Sequence, residues 1–182
     1  MEEIILVDEY DQPIGFEEKM AAHRNGGKLH RAFSIFIVNT RGEMLLQKRS
    51  SKKYHFGGAW TNACCSHPRR GEVLEAAAHR RLHEELGFDT DLKKVFSFIY
   101  TAVDVKSGLT EREFDHVFVG EFDGVARPHP DEIDDLKWIS LEELDRDLAV
   151  SAERYTPWFG EAVARFGQLR EAGKPLKLLL WG

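Results

Sequence analysis

The chain lacks any long apolar run. No stretch approaches the roughly 18–20 residues that a membrane-spanning helix needs, so no membrane association is expected. It also lacks an excess of positive charge. Lys and Arg number 25 against 31 Asp and Glu, a net charge of −6. A general nucleic-acid binder is thereby disfavoured, although a local basic pocket is not. Cysteine is scarce: the only two are Cys64 and Cys65. Neighbouring cysteines would close a strained ring, so a disulfide framework is not expected and reduced thiols are. The reduced thiols point to the cytoplasm, and the start, Met1-Glu2-Glu3-Ile4, is acidic and has no secretory pattern. No internal repeat, low-complexity tract or linker is present. What is there is ordinary for a soluble globular protein: 42% apolar and 31% charged residues over 182 positions. That length suits a single domain over residues 1–182.

Strand and helix patterns alternate along the chain. Ile4–Val7 and Ile14–Glu18 flank a turn at Asp11-Gln12-Pro13 and predict an opening hairpin. Met20–His23 reads as a short helical turn ended by Asn25-Gly26-Gly27. Arg31–Asn39, Met44–Arg49, Trp60–Ser66, Val95–Val105, His116–Phe122 and Leu136–Ile139 read as strands. Glu72–Leu86 carries apolar residues at helical spacing and ends at Gly87. Leu141–Leu148 reads as an acidic helix capped by Ser140, and Trp158–Ala172 as a second long helix opened by Pro157. The expected class is α/β or α+β.

The segment Trp60-Thr61-Asn62-Ala63-Cys64-Cys65-Ser66-His67-Pro68 sets a thiol beside an imidazole. In an extended segment Cys65 and His67 share a face, and Cys64 turns the other way. Cys64 is therefore expected to pack as a small buried residue. His23 and His30 flank the Asn25–Lys28 turn. Glu111 and Glu113 are two apart, just before a predicted strand, so both carboxylates can reach one point. Three imidazoles (with His67) and two carboxylates suit a divalent ion such as Zn²⁺ or Mn²⁺. His55, His79, His83, His116 and His129 read as ordinary surface or core residues. A basic run at Arg49–Lys53 and the charged helix can both be solvated surface, with Arg81 and Glu85 as an i,i+4 pair.

The helix has a further pattern. From Ser66, Glu72 follows six residues on and Arg80 eight further, then Arg81-Leu82-His83-Glu84-Glu85-Leu86-Gly87-Phe88. This resembles the Nudix box in spacing throughout. Ser66 stands where that box has its first Gly, and Arg81 where it has the first clustered Glu. Replacing a carboxylate with a cation removes a ligand for the Mg²⁺ used in pyrophosphate hydrolysis and adds an anchor for a diphosphate.

Over roughly residues 4–160 the chain resembles the type 1 isopentenyl-diphosphate isomerases, a Nudix-fold family. The resemblance is carried by His23-x6-His30 with Arg31-Ala32-Phe33-Ser34, by Arg49, Lys53, Trp60-Thr61-Asn62, Cys65-Ser66-His67-Pro68, Glu85-Leu86-Gly87, Tyr100, Glu111-x-Glu113 and Trp158. It implies a mixed β-sheet sandwiched between helices, with an N-terminal hairpin extension. It implies a tightly bound Mn²⁺ or Zn²⁺ on His23, His30, His67, Glu111 and Glu113, and a diphosphate-associated Mg²⁺ on Glu85. Lys19, Arg49, Lys53 and Arg81 fall at diphosphate-binding positions, and Cys65 and Glu113 at the catalytic ones. The implied reaction converts isopentenyl diphosphate to dimethylallyl diphosphate, by a monomer or weak homodimer.

Moving that double bond adds a proton at one carbon and removes another two carbons away. Without an activating carbonyl, the substrate passes through a carbocation-like centre, which requires an acid on one face and a base on the other. The expected roles are protonation by Glu113 assisted by Tyr100, proton removal by Cys65, and cation stabilisation by the Trp158 face. Cys65 needs a lowered pKa for that role, which nearby cations can provide. Two competing readings are a Nudix pyrophosphohydrolase, against which Arg81 and Cys65 weigh, and a silent metal-holding binding module. Lys177–Trp181 is expected to pack on the domain or meet a partner.

Overall fold

The computed structural model describes residues 2–171. The expected ends of the last helix at Ala172 and of the chain at Lys177–Trp181 lie outside the described residues. Strands β1 (Glu3–Val7) and β2 (Pro13–Glu18) form the opening hairpin, and α1 (Lys19–Ala22) follows directly. The central strand β3 (His30–Val38) pairs in parallel with β8 (Thr110–Glu121) along one edge. Its other edge is shared in turn by β1, β6 (Cys64–Ser66) and β4 (Glu43–Arg49). Strand β5 (Trp60–Asn62) and β9 (Ile133–Ser140) pair with β4, and β7 (Lys93–Val103) pairs with β8.

Side-chain alternation divides the core in two. Phe33, Ile35 and Ile37 of β3 face α2 (Leu74–Leu86), meeting Ala77, Ala78, Leu82 and Leu86. Phe36 and Val38 face the opposite layer, where α3 (Leu141–Ser151) contributes Leu144 and α4 (Pro157–Glu171) contributes Trp158, Phe159, Ala162 and Phe166. In β8, Phe118 joins the α2 side while Val117 and Val119 join the α4 side. This period of two follows from the pleat and yields a sheet between helical layers. Ser140 caps α3 in a reciprocal capping box with Glu143, as its position implied. Gly87 ends α2 at φ 72°, where an added Cβ would meet Arg127 at 3.0 Å. Among the described residues no helix is long and apolar enough to cross a membrane.

Two boundaries differ from the sequence expectation in ways that shape the site. Trp60–Ser66 is not one strand: it breaks at Ala63, and its halves pair with different partners, β4 and β3. Strand β8 starts at Thr110 rather than His116, so Glu111 and Glu113 lie within it. Their charge masked the strand pattern, because carboxylates at buried strand positions break the apolar alternation.

Candidate active site

Sheet register assembles the site. Tyr100 of β7 sits opposite Glu113 of β8, which sits opposite His30 of β3. On the other edge of β3, Ser34 sits opposite Cys65. Cross-strand partners share a face, and so do positions two apart. His30, Ser34, Cys65, Glu111, Glu113, Asp115 and Tyr100 therefore belong to the same face as Val117 and Phe36. One end of that face is sealed by α4; the other carries the polar groups.

His23 arrives from α1. The Thr110 backbone N–H donates to His23 O at 2.8 Å, which ties the end of α1 to the start of β8. Gly27 permits this approach: a Cβ there would meet Thr110 O at 2.8 Å. Ligand atoms of His23, His30, His67, Glu111 and Glu113 all lie within 4.8 Å of one another, and all five residues are buried. His30 Nε2 is 3.1 Å from His67 Nε2, and His67 Nε2 is 2.8 Å from Glu113 Oε1. The far ring nitrogens explain this convergence. His23 Nδ1 donates to Lys19 O at 2.6 Å and His30 Nδ1 to Lys28 O at 2.8 Å, aiming each Nε2 inward.

Burial and the neighbouring carboxylates shift the histidines of the cluster in different directions. Burial depresses the His67 pKa to about 4 despite the opposing pull of Glu113, so its imidazole is neutral at pH 7 and able to ligate. For His23, burial also acts downward, but hydrogen bonding and charge from Glu111 outweigh it and raise the pKa. His23 Nε2 lies 2.9 Å from Glu111 Oε2. Burial pushes Glu113 upward and its histidine partners bring it down, leaving a carboxylate below the usual range. The residues present fit a divalent metal ion.

A cleft of about 150 Å³ opens beside this cluster. It is lined by Cys65, Glu113, Tyr100 and Trp158, and by the four expected cations Lys19, Arg49, Lys53 and Arg81. The Tyr100 hydroxyl donates to Glu113 Oε2. Trp158 stacks over Tyr100 with ring centroids 5.5 Å apart, and the Arg49 guanidinium lies 5.8 Å from its ring centre. Arg49 is buried and makes no ion pair among the described residues; it donates to His55 O at 3.3 Å. Lys19 pairs with Glu2 at the rim, whereas Lys53 and Arg81 share Glu132. The expected Arg81–Glu85 pair forms, at 2.5 Å.

Glu85 stands outside the five-residue cluster. Its Oε1 receives Arg81, and its Oε2 has a long 3.4 Å contact from Gln47. Cys65 donates to Asn62 Oδ1 at 3.1 Å, and Ser34 Oγ lies 3.5 Å from its sulfur. The expectation that nearby cations lower its pKa is not met. Burial pushes the thiol up to about 12, and the opposing influence of Arg49 is smaller. Cys64 behaves as expected, fully buried on the α2 side.

One residue was misjudged. His55 is not an ordinary surface or core histidine: it is buried, and its Nε2 contacts Glu111 Oε1. It lies within neither a strand nor a helix, so no periodicity marked its direction. Glu132, which no sequence pattern singled out, also belongs to the site, where it pairs with both Lys53 and Arg81.

The sequence matches the NUDIX domain family over residues 28–159. It is 52% identical over 164 residues to isopentenyl-diphosphate Delta-isomerase 2 of Photorhabdus laumondii, covering 90% of this chain and 92% of that one. It is 50% identical over 164 residues to isopentenyl-diphosphate Delta-isomerase 2 of Aromatoleum aromaticum, covering 90% and 86%. The chain belongs to the isopentenyl-diphosphate Delta-isomerase family of NUDIX-domain proteins. The fold agrees: a Deinococcus radiodurans crystal structure superposes with TM-score 0.75 at 23% identity, covering 90% of this chain and 98% of that one. A MutT protein from Methanosarcina mazei superposes at 0.65, with 19% identity over 78% and 95%. Within this isomerase family chain, Arg81 stands in place of a NUDIX-box carboxylate and is held by Glu85 and Glu132.

Proposed function

We propose that this protein interconverts isopentenyl diphosphate and dimethylallyl diphosphate. The observation that carries the reading is one small cleft in which a buried His₃Glu₂ cluster, a thiol, a Tyr–Glu pair and four cations meet. The Arg49, Lys53, Arg81 and Lys19 charges bind the diphosphate. Arg49 is the anchor ready from the start, since no carboxylate among the described residues pairs with it.

The chemistry needs proton exchange on two sides of the alkene. Cys65 and Glu113 come from strands on opposite edges of β3, so a substrate lying over β3 meets one from each side. Glu113, with the Tyr100 hydroxyl on its Oε2, delivers the proton, and Cys65 Sγ removes one. Burial favours the protonated form of Cys65, and the histidine partners of Glu113 favour its ionised form. The working state is reached by moving the Cys65 proton to the Glu113–Tyr100 side, without change in total charge. The face of Trp158, packed out of water, stabilises a developing cation by about 2 kcal/mol.

His23, His30, His67, Glu111 and Glu113 would hold a Mn²⁺ or Zn²⁺, and a bound ion supplies positive charge that organises these carboxylates beside the substrate. Glu85 would hold the Mg²⁺ that accompanies the diphosphate. We take the chain as one catalytic domain, working in the cytoplasm as a monomer or weak homodimer.

Incubating the purified protein with isopentenyl diphosphate and Mg²⁺, Mn²⁺ or Zn²⁺, and following the allylic product by NMR, tests the reading. Allylic product is expected. Folded, metal-loaded protein that yields none overturns it, and release of phosphate instead would favour hydrolysis.

A further inference from the structure

His55 sits on the Ser50–Ala59 segment, apart from the five clustered ligands, yet it reaches into the same centre. Glu111 is gripped by two imidazoles: His23 Nε2 at Oε2, 2.9 Å away, and His55 Nε2 at Oε1. The two rings are not equivalent. His23 commits its Nδ1 hydrogen to Lys19 O, which leaves Nε2 free to ligate. His55 Nδ1 is buried without a partner among the described residues, so its ring hydrogen belongs on Nε2, pointed at the carboxylate.

The segment is built to hold this direction. The next residue, Phe56, has φ 47°, a strained conformation for a bulky residue. Its N–H is tied to Asp104 Oδ2 at 3.3 Å, and its ring packs edge-on against Trp158 at 5.3 Å. The His55 carbonyl accepts from Arg49, and Lys53 lies two residues earlier.

We infer that His55 is a positioning residue: its Nε2–H holds Glu111 in the ligating orientation and couples the segment bearing Lys53 to the metal centre. This rests on the metal site proposed above. A hydrogen-bonded carboxylate ligand keeps its angle when the ion arrives, and loss of such support typically costs 10–100-fold in metal affinity.

The test uses metal-free protein titrated with Mn²⁺ alone, followed by electron paramagnetic resonance, so no turnover is required. H55F fills the space but cannot donate; H55Q offers an amide N–H in place of the imidazole's; H23A removes a proposed ligand. Thermal unfolding checks that each variant is folded. H55F should bind Mn²⁺ about 10–100-fold more weakly, with H55Q within a few-fold of the parent. Hydrogen exchange in residues 50–59 should slow on Mn²⁺ loading in the parent and H55Q but not in H55F. Parent-like affinity in H55F, or equal loss in H55Q and H55F, would overturn the inference. Should H55F fail to fold, H55Q decides: its binding then must stay within a few-fold and its segment must still gain protection. Parent-like binding by H23A would instead overturn the metal-site reading beneath it.

Discussion

Cys64 and Cys65 are adjacent, yet the pleat sends them into different layers. Cys64 packs with Leu82 and Phe33 under α2; Cys65 faces the cleft and Asn62. Replacing Cys65 with Ala should therefore lower kcat by about 10²–10⁴-fold, the usual span for a lost proton-transfer group, with unfolding midpoint little changed. Cys64→Ala should do the reverse, costing about 1 kcal/mol of stability and leaving kcat within a few-fold. Steady-state kinetics and urea unfolding on both variants separate the two, and equal losses of activity would refute the face assignment. Tyr100 is expected to behave as a partner of Glu113. Tyr100→Phe keeps the ring stacked on Trp158 but loses the hydroxyl, so kcat should fall while KM for the diphosphate stays near the parent value.

At the scale of elements, the loop before β9 holds α2 and the Ser50–Ala59 segment together. Glu132 receives both Lys53 and Arg81, and its backbone carbonyl accepts from the Ser50 N–H at 2.8 Å. Burial raises the Glu132 pKa, but the hydrogen bond and charge of Lys53, helped by Arg81, win and bring it to about 2 from an ordinary 4.5. A depressed folded-state pKa stabilises the native state fully above the unfolded value. That contribution is lost as pH falls from about 4.5 toward 2. Glu132→Gln should thus lower the melting temperature at pH 6 and converge with the parent near pH 2. A constant difference across that range would contradict the assignment. Arg81→Ala has a harsher expectation, since it strands the buried Glu85 carboxylate. Denaturant unfolding should show a loss of about 3–5 kcal/mol, and Lys is a poor substitute for the shared guanidinium.

For the whole molecule, the His₃Glu₂ cluster joins parts of the chain far apart in sequence: α1, the head of β3, the residue after β6 and the head of β8. An ion there would bind only the folded form and stabilise it by mass action. At 100 times its dissociation constant the gain is about 2.7 kcal/mol, or roughly 5–10 °C for a domain of this size. Calorimetry of chelator-treated protein, with and without Mn²⁺ or Zn²⁺, measures this; no shift with either metal would argue against the site.

The ordered motif series named the five cluster residues, and the sequence by itself determined the alternation of strands and helices. Local chemistry sufficed for that alternation: apolar spacing along α2, and Ser140 before an acidic turn. Tertiary structure alone decided the rest. That Trp60–Ser66 divides between two partners depends on pairing with β3 and β4, which no local pattern carries. The reach of His55 depends on a loop backbone, where no period exists to read. The state of the Cys65 thiol depends on how far the folded chain shields it from water, and at this half-buried position that shielding outweighs the cations that composition alone would have favoured.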